Sequence, residues 1–118
     1  MSNPPGAAAE KNQKVRVRIL IVDDHPVIRK RVRSTLQEHP DFEVCGEVDD
    51  GAKAIQQARK IKPDVVVLNV SMPVLNEFET ARTIKATLPE TAIVILSSDA
   101  DEHFIEEAKR IGASAYVA

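Results

Sequence analysis

The sequence predicts an α/β domain with a parallel sheet whose two faces are covered by helices. Strand-like apolar runs alternate with helix-like stretches along the 118 residues, and the links between them are short. The clearest strand is Val65–Leu68, an unbroken and mostly β-branched run between Pro63 and Pro73. It is too short for a helix and lacks the alternation of a half-exposed strand, so it predicts a strand buried on both faces. Asn69 ends this run, and we expect the functional site around it, because ligands of such sheets lie outside the carboxyl ends of central strands.

Composition and charge narrow the class of protein before any motif does. The chain is 43% hydrophobic and 29% charged, which fits one domain with one core. Its formal net charge of −2 argues against a nucleic-acid surface spread over this domain, because such surfaces are strongly basic. The lone Cys45 has no disulfide partner in the chain, no apolar run approaches the roughly 20 residues of a membrane span, and the first residues lack a signal-peptide core. We therefore expect a cytoplasmic protein without a membrane partner.

The chain divides into a short tail and one domain. Residues 1–14 mix Pro, Gly, Ala and polar residues without a period, which predicts a disordered tail before a domain over residues 15–118. The first strand is predicted over Val17–Val22 and is followed by two acidic residues. Pro26 suits the first position of a helix whose apolar positions recur at spacings of four, at Ile28, Val32 and Leu36. We expect the basic residues of this helix on its solvated face, namely Arg29, Lys30, Arg31 and Arg33.

The second and third helices flank the central strand. Phe42–Val48 is predicted as the second strand, and Asp49–Gly51 opens a helix whose inner positions are Ala54, Ile55, Ala58 and Ile61. After the central strand and a loop over residues 71–75, a helix is expected in which apolar positions recur at Phe78, Ala81, Ile84 and Leu88. Asn76 and Glu79 have the spacing of a capping pair at its start.

The last part of the chain predicts one more helix between two strands. Ala92–Leu96 is apolar throughout and ends on Ser97. A helix with Phe104, Ile105, Ala108 and Ile111 on its core face follows, and Gly112 stops it. Ala115–Ala118 begins a fifth strand, and no residues follow that could form a fifth helix. We expect the sheet face beside the first helix to be partly open to water, so that the chain either self-associates through this face or is much less stable than one that includes a fifth helix. A homodimer is the expected assembly.

Polar residues at three strand ends are expected to meet at one edge of the sheet. If the first, third and fourth strands are neighbours, Asp23 and Asp24 meet Asn69 and Ser97 there. Carboxylate, amide and hydroxyl oxygens are hard ligands that suit Mg²⁺. Taken singly, the acidic pair is equally consistent with capping the first helix, and Ser97 with simply ending a strand. Their joint occurrence favours one pocket.

Five stretches of the sequence carry recognisable motifs: residues 20–26 (Leu-Ile-Val-Asp-Asp-His-Pro), 63–68 (Pro-Asp-Val-Val-Val-Leu), 71–73 (Ser-Met-Pro), 94–98 (Val-Ile-Leu-Ser-Ser) and 112–117 (Gly-Ala-Ser-Ala-Tyr-Val). Together they resemble the receiver domain of bacterial two-component response regulators, in the subgroup that usually precedes a helix-turn-helix DNA-binding domain. The resemblance implies a flavodoxin-like, doubly wound parallel sheet of five strands in the order 2-1-3-4-5. It also implies phosphorelay signal transduction, with a sensor histidine kinase or other signalling protein as partner, DNA contact only through a C-terminal domain that this chain lacks, and no enzyme activity of its own.

The resemblance assigns roles to individual residues. Asp23 and Asp24 match the acidic pair that binds Mg²⁺, and Ser71 matches the position whose backbone carbonyl completes the metal site. Ser97 matches the hydroxyl that turns toward the phosphoryl group, and Tyr116 matches the aromatic switch.

Asn69 departs from the family pattern, because it occupies the position of the phosphoacceptor Asp. A neutral carboxamide is a far weaker nucleophile than a carboxylate, so we expect no phosphorylation there. It also removes one negative charge, so we expect Mg²⁺ to bind weakly or not at all. Three interpretations stay open: a natural receiver that signals by protein contacts alone, an Asp-to-Asn variant of a normally phosphorylated transcriptional regulator, or a domain used for dimerisation. The first is favoured because Val74 and Glu77 also depart from the pattern.

A small flavin- or nucleotide-binding α/β domain is the alternative from another functional class, because fold does not fix function. Against it, the first strand is followed by Asp23 and Asp24 instead of a Gly-rich phosphate loop. Two carboxylates there repel a nucleotide phosphate unless Mg²⁺ intervenes.

Overall fold

The computed structural model describes residues 16–70, 75–97, 106, 108–110, 113 and 115–117. Over that part of the chain, strands and helices alternate from the first strand to the fourth. The elements are β1 (Val17–Val22), α1 (Pro26–Gln37), β2 (Phe42–Val48), α2 (Gly51–Ile61), β3 (Val65–Val70), α3 (Leu75–Thr87), β4 (Ala92–Ser97) and β5 (Ala115–Val117). Glu106 and residues 108–110, between β4 and β5, are helical. The expected tail over residues 1–14 lies outside the described residues.

The five strands form one sheet in the order β2-β1-β3-β4-β5, and each neighbouring pair is parallel. The predicted flavodoxin-like order is therefore confirmed. Val22 is level with Leu68 across β1 and β3, and Leu68 is level with Ile95 across β3 and β4. This register brings the carboxyl ends of the three central strands to one edge of the sheet.

One face of the sheet is covered by α2 and α3. Ala54 and Ala58 of α2 are buried, as the spacing predicted, and so are Phe78, Ala81 and Ile84 of α3. They pack in one cluster with strand residues of the same face, Leu20, Val22, Val66, Leu68, Ile93 and Ile95. Small residues on α2 allow the two helices to lie close to each other and to the sheet.

The opposite face carries α1 and a smaller buried cluster of Ile19, Ile21 and Val67. Among the described residues this face leaves an apolar groove of about 500 Å³, lined mainly by Val17, Ile19, Val32, Leu36, Phe42, Val65, Val67, Val94 and Leu96. Ile28 is 38% exposed and Val27 is 71% exposed near the start of α1. Val32 is half-buried, so this face is partly open to water at both Ile28 and Val32.

The ends of α2 show how the sequence sets its limits. The side chain of Asp50 accepts a hydrogen bond of 2.8 Å from the backbone N–H of Lys53, so Asp50 is the N-cap. At the other end Lys62 takes a left-handed conformation with φ 47°, and its N–H donates to the carbonyl of Ala58. Pro63 follows and prevents the helix from continuing.

Two local predictions differ from the structure. β3 continues past the apolar run to Val70, because its pairing with β4 continues through Asn69 and Val70. Asn69 therefore lies within the strand instead of after it. α3 begins at Leu75, so Asn76 is inside the helix and the predicted capping pair is wrong; Glu79 instead pairs with Arg82 at 2.7 Å.

No helix among the described residues is long and apolar enough to cross a membrane.

Candidate functional site

The site lies at the carboxyl edge of β1 and β3. Asp23 and Asp24 directly follow β1, and Asn69 is the fifth residue of β3. Because β1 and β3 are adjacent and Val22 is level with Leu68, Asp23 comes beside Asn69. Of the two predicted contacts between the acidic pair and Asn69, the structure therefore shows the one with Asp23.

The side chain of Asp23 is fully buried, with 0% exposure. Its Oδ1 accepts the backbone N–H of His25 at 2.8 Å, and its Oδ2 accepts Nδ2–H of Asn69 at 2.6 Å. Its backbone is also held, since its N–H donates to Val48 at 3.0 Å and its carbonyl accepts Nη1–H of Arg29 at 2.8 Å. A buried carboxylate needs such partners, so this position is rigidly defined.

Asp24 and His25 form the exposed side of the site. His25 Nδ1 lies 2.8 Å from Asp24 Oδ1 and 3.6 Å from Asp23 Oδ1. The Asp24 side chain is 63% exposed and that of His25 is 48% exposed. The three histidines show no ligand spacing among themselves, which argues against a histidine metal triad, but His25 stands beside the acidic pair in the sequence, where it can tune the pocket. Its position in the turn directly after two carboxylates was the signal for this contact.

An ion-pair network behind the site joins α1 to β2. Glu47 accepts from Arg33 at 2.6 Å and lies 3.4 Å from Nε of Arg29, which also holds the carbonyl of Asp23. The side chains of Arg29 and Glu47 are each 23% exposed. The expectation that the basic residues of α1 are all solvated is therefore wrong for Arg29, whereas Lys30 and Arg31 are exposed. The cause is Glu47, which points from the neighbouring strand to the same face as the two arginines.

A polar cavity of about 390 Å³ lies beside this network, lined by Arg29, Glu47, Val48, Asp49, Lys53, Gln56 and Gln57. Lys53 Nζ donates to Asp49 Oδ1 at 3.0 Å. This hydrogen bond lowers the pKa of Asp49 and raises the pKa of Lys53. The opposite charges of Asp49 and Lys53 in the lining of this cavity therefore pair with each other.

The remaining predicted site residues are placed only in part. Ser71 lies outside the described residues. Ser97 is the last residue of β4 and is level with Val70, so its backbone is at the expected edge. Tyr116 lies in β5, level with Ile95. The predicted roles of Ser97 and Tyr116 concern side chains outside the described part of the structure, and both stay predictions.

The donor set can be compared with what Mg²⁺ requires. Ligand atoms of Asp23, Asp24 and His25 lie within 4.8 Å of one another. The two carboxylates suit Mg²⁺, which prefers oxygen ligands. Asn69 suits it less well, because its side chain directs Nδ2, an N–H donor, at Asp23. The pocket thus combines the two carboxylates with the N–H donor of Asn69 beside the buried one.

The chain matches the family described as the response regulator receiver domain over residues 19–118. The transcriptional regulatory protein DegU of Brevibacillus brevis is 32% identical over 92% of this chain and 46% of DegU. A protein-glutamate methylesterase/protein-glutamine glutaminase of Alkalilimnicola ehrlichii is 39% identical over 71% of this chain and 21% of its own length. The chain thus spans less than half the length of either relative.

A solved structure supports the same assignment. The crystal structure of a LuxR-family two-component response regulator from Aurantimonas sp. SI85-9A1 matches with a TM-score of 0.80 and 31% identity, over 86% of this chain and 72% of that chain. The family match covers all the described elements from Ile19 onward, including both strands of the site. The chain therefore belongs to the family of response regulator receiver domains.

Proposed function

We propose that this receiver domain acts in phosphorelay signalling with Asn69 at the phosphoacceptor position, and that it takes up no phosphoryl group there. The observation that carries the proposal is the contact of 2.6 Å between Asn69 and Asp23 at the edge of β1 and β3. This contact places the side chain of Asn69 directly against Asp23, the buried member of the acidic pair. The family resemblance predicts the phosphoacceptor at this position.

The chemistry of the side chain decides the outcome. In acyl-phosphate formation a carboxylate oxygen attacks phosphorus, an O–P bond forms, and the bond to the donor's leaving group breaks with its electron pair. A carboxylate performs this step because its anionic oxygen supplies the electron pair of the new O–P bond. The carboxamide of Asn69 is neutral, and its nitrogen lone pair is delocalised into the carbonyl, so it is a poor nucleophile.

Receiver membership favours this proposal over the flavin- or nucleotide-binding alternative. Within the receiver proposal, we place a natural receiver that signals by protein contacts ahead of an Asp-to-Asn variant of a phosphorylated regulator. Val74 and Glu77 favour the natural receiver, because they also depart from the family pattern, whereas a variant changed only at the acceptor would keep the family residues elsewhere. The gene sequence at codon 69 distinguishes the two.

As partners we propose a sensor histidine kinase or another signalling protein, and DNA only through a separate C-terminal domain. DegU, a transcriptional regulatory protein, supports the second, since this chain matches only 46% of its length. We propose no catalytic activity for the domain itself, although a methylesterase contains a matching segment. The proposed location is the cytoplasm, and Mg²⁺ is proposed to bind weakly or not at all.

A homodimer is proposed as the assembly. It is supported by the apolar groove beside α1, which is about 500 Å³ in volume and is lined by side chains of four strands. Apolar surface of this kind on a parallel sheet is stabilised when another element covers it.

The test is a side-by-side reaction of the unchanged chain and Asn69→Asp with acetyl phosphate and Mg²⁺. Mass spectrometry of the intact chain and of the peptide containing residue 69 measures a base-labile phosphoryl adduct. We expect none at Asn69 in the unchanged chain and a detectable fraction in Asn69→Asp. An adduct at Asn69 contradicts the proposal.

A further inference from the structure

The Asp23 carboxylate is buried, and both of its oxygens are satisfied by N–H groups of this chain. Oδ1 accepts from the backbone of His25 at 2.8 Å, and Oδ2 accepts from Nδ2 of Asn69 at 2.6 Å. A carboxylate buried without partners is strongly destabilising, and hydrogen bonds to a charged acceptor are the short and strong ones. The amide of Asn69 therefore contributes directly to keeping Asp23 in the folded state.

We propose that the Asn69 amide takes the place of a divalent cation between β1 and β3, so that this pocket is stable independently of Mg²⁺. A cation that approaches Asp23 from this side must first displace Nδ2 of Asn69. Asn69 is thus a positioning residue for Asp23. This inference goes beyond the proposed function, because it concerns the stability and cation requirement of the pocket, and it holds or fails whether or not phosphoryl transfer occurs.

An amide and a carboxylate have nearly the same shape but differ in the hydrogen bonds they can make. Asparagine has two N–H donors at Nδ2, whereas ionised aspartate has acceptors only. An Asp at position 69 would place two carboxylates at the distance of 2.6 Å that now separates donor and acceptor. Two like charges so close cannot both remain ionised without a cation or a proton between them. With Asn69 that conflict is absent.

A reciprocal exchange separates this proposal from simple space-filling. In Asp23→Asn/Asn69→Asp the amide and the carboxylate change places, while the volume and net charge of the pair are unchanged. If the hydrogen-bonded pair is what matters, the exchanged pair is again independent of Mg²⁺. If Asn69 only fills space, the single variant Asn69→Asp behaves like the unchanged chain.

The experiment measures the melting temperature and the urea midpoint in EDTA and in excess Mg²⁺ for the unchanged chain, Asn69→Asp and the exchanged pair. We expect no Mg²⁺ effect for the unchanged chain. In EDTA Asn69→Asp should melt lower by roughly 5–15 °C and recover most of that loss with Mg²⁺. The exchanged pair should melt above Asn69→Asp in EDTA and show little Mg²⁺ effect. The proposal is overturned if Asn69→Asp matches the unchanged chain in EDTA, or if the exchanged pair is as dependent on Mg²⁺ as Asn69→Asp.

A measurement on the unchanged chain keeps the proposal testable if a variant does not fold. The side-chain amide of Asn69 gives its own pair of signals in a proton–nitrogen NMR spectrum. We expect slow solvent exchange of the bonded proton and unchanged shifts when Mg²⁺ is added to millimolar excess. Fast exchange in EDTA, or a large shift with Mg²⁺, contradicts a persistent amide-to-carboxylate bond.

Discussion

Gly51 at the start of α2 provides a sharp test of how the helices that cover one sheet face are packed. A β-carbon on Gly51 would collide with Oγ1 of Thr80 in α3, and it would lie 3.4 Å from Thr80 Cβ. The backbone of Gly51 is outside the left-handed region, so glycine is required for space and not for conformation. Thr80 is 6% exposed and has little freedom to move away.

Two opposing effects set the size of the change in Gly51→Ala. Alanine favours a helix over glycine by up to about 1 kcal/mol. Overpacking a close contact costs about 1–3 kcal/mol. The contact is with a buried side chain, so we expect the clash to dominate. The net loss should be about 1–2 kcal/mol in free energy of unfolding, with a fall in Tm of roughly 4–8 °C.

A double-mutant cycle read by urea unfolding isolates the clash. In the Thr80→Ala background Oγ1 is gone, so Gly51→Ala should become neutral or stabilising by up to about 1 kcal/mol. Thr80→Val is the matched control, because it keeps a branched side chain of the same shape and should leave Gly51→Ala destabilising. Equal losses from Gly51→Ala in the unchanged chain and in the Thr80→Ala background would refute the reasoning.

Two further predictions concern other parts of the fold. Lys62 holds φ 47° at the end of α2, so Lys62→Gly should raise the free energy of unfolding by about 0.5–1 kcal/mol, whereas the exposed mid-helix control Gln56→Gly should lower it by about 1 kcal/mol. Urea unfolding measures both, and a loss in Lys62→Gly contradicts the strain argument. If a second copy covers the apolar groove, the chain should sediment as a dimer, and Thr35→Lys, an exposed position on the groove wall, should shift it toward monomer. A monomer at every concentration tested contradicts the homodimer proposal.

Periodicity predicted the architecture well, because burial determines both the sequence pattern and the fold. The unbroken run Val65–Leu68 predicted a strand buried on both faces, and β3 is central in the sheet with Val66, Val67 and Leu68 buried. Spacing likewise identified the buried positions Ala54 and Ala58 of α2, since a helix repeats its inner face every three to four residues. The position of the site followed from topology, as parallel strands end at the same edge.

Side-chain and backbone contacts between different strands and helices were harder to predict from the sequence. Asn69 lies inside β3 because backbone pairing with β4 continues where the apolar pattern stops. Arg29 pairs with Glu47, although the two are distant in sequence, because the register of β2 places Glu47 beside α1. The donor role of the Asn69 amide likewise depends on Asp23 being buried within reach, which only the packed sheet determines.

We have proposed that position 69 is the phosphoacceptor position and that the carboxamide of Asn69 cannot accept a phosphoryl group. Beryllofluoride, which mimics a phosphoryl group when a carboxylate oxygen binds its beryllium, tests this directly by fluorine NMR in the presence of Mg²⁺. We expect no bound fluorine signal with the unchanged chain and a bound signal with Asn69→Asp. A bound signal with Asn69 in place, or none with Asn69→Asp once that variant is shown to be folded, contradicts it.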